Sequence, residues 1–487
     1  MESRVRHLTP TVGLTFALAA LLHLWGNTAA LIGSVTFQPG MRLLAAAGVG
    51  LAAVVVLLRP WSPSAIDALA GALVAKALVD LPVTPNHQLL LALMSLSWLL
   101  ARAVTRFSAD ARAGPMLVGG RATFLVAYGF AAFAKLNGDF FDPAVSCAVE
   151  MTDSLLGWVL PGQMPGWLAT AAMPTTATIE LAVPLLLVSP RTRRFGVLLG
   201  LIFHGLLALD PLRHFYDFTG AVALGLVWFL PAAAFFDNRV TFTRGRPVHP
   251  VGGPDEAAAF TSMAARTSGP PTAGALPFSR VFIAVLCGLM TLLIPVGIAN
   301  PFTLWVVAVP LVAWLAWGLG GEAWRSKRVD TAQPPHSEPG QAPHPRLSTA
   351  TTALVLVPAL VAFANGLAPY LEVKNYGSWN MYSNLRVVDG ESNHLLVGRS
   401  LPVSGVLQDR VLLADSDAGD EWPRFAVYTS LLLEGPDATR DVIEDGETTT
   451  VGSVQAADAL GAIRFRLQRL APVAAERPEP CRITAAM

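Results

Sequence analysis

Charge is scarce in this sequence. Asp, Glu, Lys and Arg make up 14% of its 487 residues, where soluble domains run near a quarter. Lysine is scarcer still: of 34 cationic residues, four are lysines, at Lys76, Lys135, Lys327 and Lys374. The formal net charge is zero, which gives a nucleic acid no basic surface to follow. Cysteine occurs at Cys147, Cys287 and Cys481. Three thiols exclude a multi-bridge disulfide scaffold and a four-cysteine zinc site. No GxSxG elbow, Walker loop, HExxH or CxxC occurs in a fitting context. No internal repeat is visible, which argues against an inverted-repeat transporter.

What the sequence has is apolar length. Hydrophobic residues make up 53% and the mean hydropathy is +0.50, an excess that points to lipid-facing surface. The first apolar stretch, Thr11 to Val35, is too long for a signal-peptide core and reads as a spanning helix. A span needs ~20 apolar residues. Eleven segments are expected to cross a membrane: Thr11–Ser34, Arg42–Leu58, Ser64–Asp80, His87–Val104, Leu117–Leu136, Trp167–Val188, Phe195–Leu209, Phe218–Phe236, Val281–Ile298, Phe302–Leu319 and Ala350–Ala368.

Arginine placement orients them, because cytoplasmic loops are enriched in Lys and Arg. Arg4 and Arg6, Arg59, Arg102 with Arg106 and Arg112, Arg191 to Arg194, Arg239 to Arg246, and Arg325 to Arg328 all fall on one side of an eleven-span scheme. The opposite loops hold Arg213 as their exception. The expectation is an all-α, multi-pass protein of a plasma membrane, with its N-terminus cytoplasmic and its C-terminus extracytoplasmic. Abundant alanine and arginine fit a GC-rich bacterial genome. Residues 1–247 form an eight-helix membrane domain. Residues 248–280 read as a disordered linker. Residues 281–368 add three helices and a disordered cytoplasmic loop at 330–345. In residues 369–487, short apolar runs between Gly, Asp and Pro clusters predict a small β-rich extracytoplasmic domain.

Ionisable residues at membrane depth are costly, so each marks a possible site. The plainer reading is helix pairing through polar contacts, at ~0.6–2 kcal/mol each. Glu180 and His204 each lie twelve residues from Thr192, the centre of a helical hairpin. This puts both at a common depth, ~18 Å from the turn, and predicts that they face each other. Lys135 lies ~21 Å from the start of its span, and His23 is at a similar depth. Burial disfavours the charged form of an amine, and a neutral lysine is a usable general base; the alternative is a lysine snorkelling to the interface. Lys76 and Asp80 form a structural i,i+4 pair. The His and Asp groups of Asp210–Asp217 have metal-ligand chemistry, but a solvated external loop is the reading adopted, and no metal is expected.

The stretch Tyr128-Gly-Phe-Ala-Ala-Phe-Ala-Lys135-Leu-Asn-Gly-Asp139-Phe resembles the motif around the base lysine of vitamin K-dependent γ-carboxylases. Glu180-Leu-Ala-Val-Pro, Arg191-Thr-Arg-Arg and Phe203-His204-Gly look like the helical pair that follows in those enzymes and in the horizontally transferred transmembrane domain (HTTM) proteins of bacteria. Ser378-Trp-Asn-Met-Tyr-Ser-Asn384-Leu-Arg386, with Ser392-Asn393-His394, is similar to a motif of uncharacterised bacterial members. The resemblance implies a membrane enzyme of lyase type. Lys135 would deprotonate a reduced quinone, His204 and Glu180 would tune it or relay protons, and His23, Asn137 and Asp139 would bind substrate. The resemblance departs from the family at Asn137, where the carboxylases carry an acid, and in the small tail.

The expected partners are membrane lipid and a quinone or protein substrate on the extracytoplasmic side, with no nucleic acid. The rival reading is a non-enzymatic scaffold or export partner whose tail binds another protein. Cys147 and Cys481 are both extracytoplasmic in this scheme, where disulfides persist. They offer one bridge, against two free thiols. Cys287 reads as a buried small hydrophobe.

Overall fold

The computed structural model describes residues 7–8, 10–26, 39–81, 84–105, 113–156, 164–210, 215–230, 236–237, 308–313, 319, 348–374, 377–388 and 390–403, with tail strands at 411–416, 442–444, 447–449, 454–458 and 461–469. The expected span Val281–Ile298, most of Phe302–Leu319, both linkers, Cys287 and Cys481 lie outside them.

Each of the eight apolar segments expected before residue 237 holds a helix. These are α1 (Pro10–Gly26), α2 (Pro39–Leu58), α3 (Pro63–Val79), α4 (Asn86–Val104), α5 (Ala113–Ala134), α7 (Gly166–Val188), α8 (Arg193–Leu207) and α9 (Phe215–Val227). Between α5 and α7, where a loop is expected, lie a 3-10 turn at Asp139–Phe141 and the helix α6 (Cys147–Leu156). Later come α10 (Thr349–Val355) and α11 (Val357–Leu367), bent by 46° where they meet.

Among the described residues, four helices are long and apolar enough to cross a membrane, or five if the bent pair is one span. That is fewer than eleven. The shortfall is partly in length: α1, α3, α8 and α9 have 17, 17, 15 and 13 residues, below the ~20 a spanning helix needs.

Local chemistry explains the boundaries. Pro63 opens α3, and the Ser62 side chain caps it by accepting from the Ala65 amide at 3.3 Å, which satisfies an orphan donor of the first turn. The α7–α8 turn is held by Thr192, whose hydroxyl donates to the Leu186 carbonyl at 2.8 Å. In α8, Gly196, Val197, Gly200, Leu201 and His204 form one buried stripe at helical spacing.

Packing sorts the helices into an inside and an outside. α1 packs along α9, and every residue of α9 except the half-buried Phe218 is buried. A helix that is apolar all round and buried all round sits at the centre of a bundle. Gly225 lets α9 approach α5, because a β-carbon there would collide with the Phe124 ring. Large apolar side chains point outward instead from α2 (Leu43, Leu44, Leu51, Leu58), α7 (Leu185, Val188), α8 (Ile202, Leu206) and α11 (Leu360, Phe363). Outward faces of this kind are compatible with lipid contact.

The tail begins as a strap laid across one end of the bundle. Trp379 is buried and its indole donates to the Ala362 carbonyl at 2.6 Å. Asn365 donates to the Gly377 carbonyl (3.0 Å), and Asn86 to the Ser378 carbonyl (3.3 Å). Gly377 has φ +69°, and a β-carbon there would fall 2.5 Å from the Thr84 carbonyl oxygen, so this close turn demands glycine. Two-residue strands β1 (His7–Leu8) and β2 (Phe236–Asp237) pair antiparallel, and after the strap a short hairpin sets β3 (Val387–Val388) against β4 (Glu391–Ser392). Further on, β5 (Val411–Ser416), β9 (Gly461–Arg469) and β8 (Val454–Asp458) form an antiparallel sheet in that order. β6 (Val442–Glu444) pairs with β7 (Glu447–Thr449).

Candidate functional site

The end of α5 carries the most densely polar part of the interior. Lys135 follows the last turn of α5 and is buried. Its Nζ lies 2.8 Å from Glu180 Oε2 on α7 and donates to the carbonyls of Ala131 (3.4 Å) and Met381 (3.3 Å). Tyr128 lies seven residues before Lys135, on the same face of α5. Its hydroxyl shares a hydrogen bond of 3.0 Å with His204 Nε2 on α8. The Phe218 ring packs edge-on against His204 at 5.2 Å, and Thr219 donates to the His204 carbonyl at 2.8 Å. The charge of Glu180 reaches Tyr128 and that of Lys135 reaches His204. Lys135, Glu180, Tyr128 and His204 thus form one buried cluster drawn from three helices.

Glu180 and His204 share this cluster, each with its own direct partner from the end of α5. Depth puts Glu180 and His204 level, and predicts that they pair. Instead Glu180 takes Lys135 and His204 takes Tyr128. The cause is azimuth: depth along a helix says nothing about which way a side chain turns, and Lys135 and Tyr128 on α5 meet the α7–α8 hairpin first.

Asn137 and Asp139 belong to the seam between the helix ends and the strap. Asn137 is fully buried. Its amide donates to the carbonyls of Ala134 (2.7 Å) and Ser383, and its oxygen accepts from the Phe140 amide (2.9 Å) and from Asn393 (3.3 Å). Asp139 is ion-paired to Arg386 at 2.5 Å. Asn384 clamps the same seam, accepting from the Cys147 amide (2.8 Å) and donating to the Val145 carbonyl (2.8 Å). His394 donates from Nε2 to the Phe133 carbonyl at 2.9 Å, and its Nδ1 accepts from the amides of Leu396 (3.1 Å) and Val397 (3.2 Å). Burial pushes the His394 imidazole below its ordinary value, against a smaller upward pull from the Phe133 carbonyl. Cys147 is disulfide-bonded; its expected partner Cys481 lies outside the described residues.

His23 lies in a second cluster. It is buried on α1, with its ring 5.1 Å from that of His87 at the start of α4. His87 Nε2 is 3.3 Å from Asp217 Oδ2 in the first turn of α9. Asp217 is therefore a buried helix residue, not part of a solvated loop. The structural pair Lys76–Asp80 forms at 2.5 Å, is joined by Gln88 at 2.5 Å and faces Arg42 at 3.7 Å. Tyr128 and His87 carry no role in the sequence reading, and Asp217 enters it as one of the loop groups with metal-ligand chemistry, read as solvated. Tyr128 had a usable signal in its helical register with Lys135; the convergence of His87 and Asp217 is a fact of tertiary packing alone.

The fold and these clusters define a mostly helical protein, with four or five helices among the described residues long and apolar enough to cross a membrane, and buried ionisable groups at one end of the bundle. No protein-family model matches the chain, and comparison with curated proteins and with solved structures finds no match.

Proposed function

We propose that the protein is a multi-pass membrane enzyme of the γ-carboxylase-like type, with Lys135 as its base and its site facing the extracytoplasmic side. The observation that carries this reading is the buried Lys135–Glu180 pair at 2.8 Å, roofed by the Met381 carbonyl of the strap. A lone snorkelling lysine would reach for the interface; this one turns inward to a carboxylate.

The pair has two arrangements of equal net charge. In one, ammonium faces carboxylate. In the other, the Nζ proton has passed to Glu180 Oε2, leaving an amine beside a carboxylic acid. Low dielectric narrows the gap between them, because two buried charges carry a large desolvation cost. The amine form accepts a proton from a substrate hydroxyl, and Glu180 retains the first proton until it returns. His204 and Tyr128, sharing a hydrogen bond beside the pair, form a short relay.

A quinol fits this donor set: it carries phenolic hydroxyls, which an amine deprotonates and an imidazole or phenol can hydrogen-bond. When bound, a reduced quinone would supply reducing equivalents for the oxygen chemistry that makes a strong base. Lys135 and Tyr128 are the residues to hold it. The same donors suit a lipid carrying a hydroxyl or carbonyl. The reading includes the eleven-span, N-in and C-out topology in a bacterial plasma membrane, with residues 369–487 as a β-rich domain outside.

The test is mass spectrometry of small molecules co-purifying with the wild type and with Lys135→Ala. A quinone or lipid present in the first and depleted in the second supports the reading. A wild type free of such a molecule, in a tight protein complex that survives Lys135→Ala, supports the scaffold reading instead.

A further inference from the structure

We propose that His23, His87 and Asp217 form a binding site for a divalent transition-metal ion, separate from the Lys135 cluster. The three residues come from α1, α4 and α9, far apart in sequence. Each offers one ligand atom, and these atoms all lie within 4.8 Å of one another. All three side chains are buried.

The spacing suits a metal. Zinc takes imidazole nitrogen at ~2.0–2.1 Å and carboxylate oxygen at ~2.0–2.2 Å in tetrahedral sites. Two ligand atoms on such an ion are then ~3.3–3.5 Å apart, from the tetrahedral angle and those bond lengths. His87 Nε2 and Asp217 Oδ2 stand at 3.3 Å, the length of one edge. The 5.1 Å separation of the His23 and His87 rings, inclined at 62°, lets both imidazoles aim at one point without stacking. The two edges to His23 are within 4.8 Å and close on an ion by side-chain rotation.

The backbone makes room for the carboxylate. Gly26 is three residues after His23, at the last turn of α1. A β-carbon at Gly26 would lie 2.8 Å from both Cβ and Oδ2 of Asp217. Any side chain there would push the carboxylate off its line with the two imidazoles.

The donor set names the class of ion. Two neutral imidazoles and one carboxylate suit zinc, or the ferrous iron of facial-triad sites, rather than calcium or magnesium. Three protein ligands leave a position open, which is the arrangement of catalytic rather than structural metals. Lys76 is a buried cation whose charge reaches both imidazoles. Asp80, 2.5 Å from Lys76 and 3.7 Å from Arg42, offsets part of that positive charge. The first turn of α9 joins the two clusters, since Phe218, next to Asp217, packs on His204.

The experiment uses the full-length protein in detergent, stripped with EDTA and titrated with Zn2+ and with Co2+. The expected result is one ion per chain and a visible Co2+ absorption typical of a four- or five-coordinate site. His23→Ala, His87→Ala and Asp217→Asn should each weaken Zn2+ binding by roughly 100-fold or more, as loss of one of three ligands does. Gly26→Ala keeps every donor and should also weaken it, which guards against a histidine variant that fails to fold. Lys135→Ala should bind Zn2+ as the wild type does, so this outcome stands apart from the fate of the proposed base. Wild-type protein that takes up no ion overturns the proposal, and so does uptake unchanged in all four site variants.

Discussion

At the scale of single residues, burial decides what each polar group can do. Breaking the Lys135–Glu180 pair from one side strands a charge among apolar helices. Lys135→Met alone is expected to cost about 3–5 kcal/mol of stability. The double variant Lys135→Met, Glu180→Leu removes both charges and should recover most of that loss, while still lacking any co-purifying molecule. Thermal unfolding in detergent of the two single variants and the double variant tests this. A double variant as unstable as the worse single would show that the pair is not the unit described here.

His394 gives the pH dependence. Its Nε2 donates to the Phe133 carbonyl and its Nδ1 accepts from two amides, so the neutral ring with the proton on Nε2 satisfies every partner. Protonating Nδ1 would turn an acceptor toward two donors. The folded value lies below the ordinary 6.5, so the unfolded strap binds the proton more readily. Its docking is therefore fully stabilised above pH 6.5 and weakens as pH falls through that value toward the lower folded one. Hydrogen exchange of residues 390–400 should accelerate on acidification in the wild type and much less in His394→Gln. Equal acceleration in both would assign the effect to other groups.

At the scale of elements, the strap is the feature that sequence reading placed least well. Apolar length located eight of the nine described helices before residue 237, all but α6, because a lipid- or core-facing helix must carry its own apolar length. The motif from Ser378 to His394 was legible as a motif, but its place was not. It docks on Asn86, Asn137, Asp139 and Cys147 through side-chain bonds that leave no periodic trace. For the same reason Asn137 and Asp139 were recognised as notable but expected at a substrate mouth. Magnitudes rank the two anchors. Arg386 and Asp139 are partly exposed, and an ion pair of that kind contributes at most ~1 kcal/mol. Asn137 is fully buried with four polar partners, so Asn137→Ala, which leaves several unsatisfied, should cost about 1–3 kcal/mol or more. Hydrogen exchange across residues 378–394 should respond more to Asn137→Ala than to Arg386→Ala; the reverse order would mean that the ion pair is the main anchor.

At the scale of the whole molecule, the bundle has two chemically different ends. One carries Arg59 after α2, Arg191, Arg193 and Arg194 at the α7–α8 turn, and Arg102 near the end of α4, ion-paired to Asp67 in the first turns of α3. The other carries the end of α1, the starts of α4 and α9, Lys135 and the strap. Arg42 is at this second end, held near Asp80. Cytoplasmic ends of membrane helices are enriched in Lys and Arg, and acidic partners change that bias little. In the proposed N-in topology the arginine-rich end faces the cytoplasm, and the strap with both buried clusters faces outside. Membrane passages added between residues 237 and 348 must be even in number if the α10–α11 pair is a span that delivers the strap to that side, and the two segments expected at 281–298 and 302–319 meet that parity. A reporter fused after Met487 should be active on the extracytoplasmic side, and one inserted at Gly340 should be active in the cytoplasm. Two extracytoplasmic signals would remove the last span while keeping the strap outside. An inverted pair would place the arginine-rich end outside, against the charge rule, and both clusters would then face the cytoplasm.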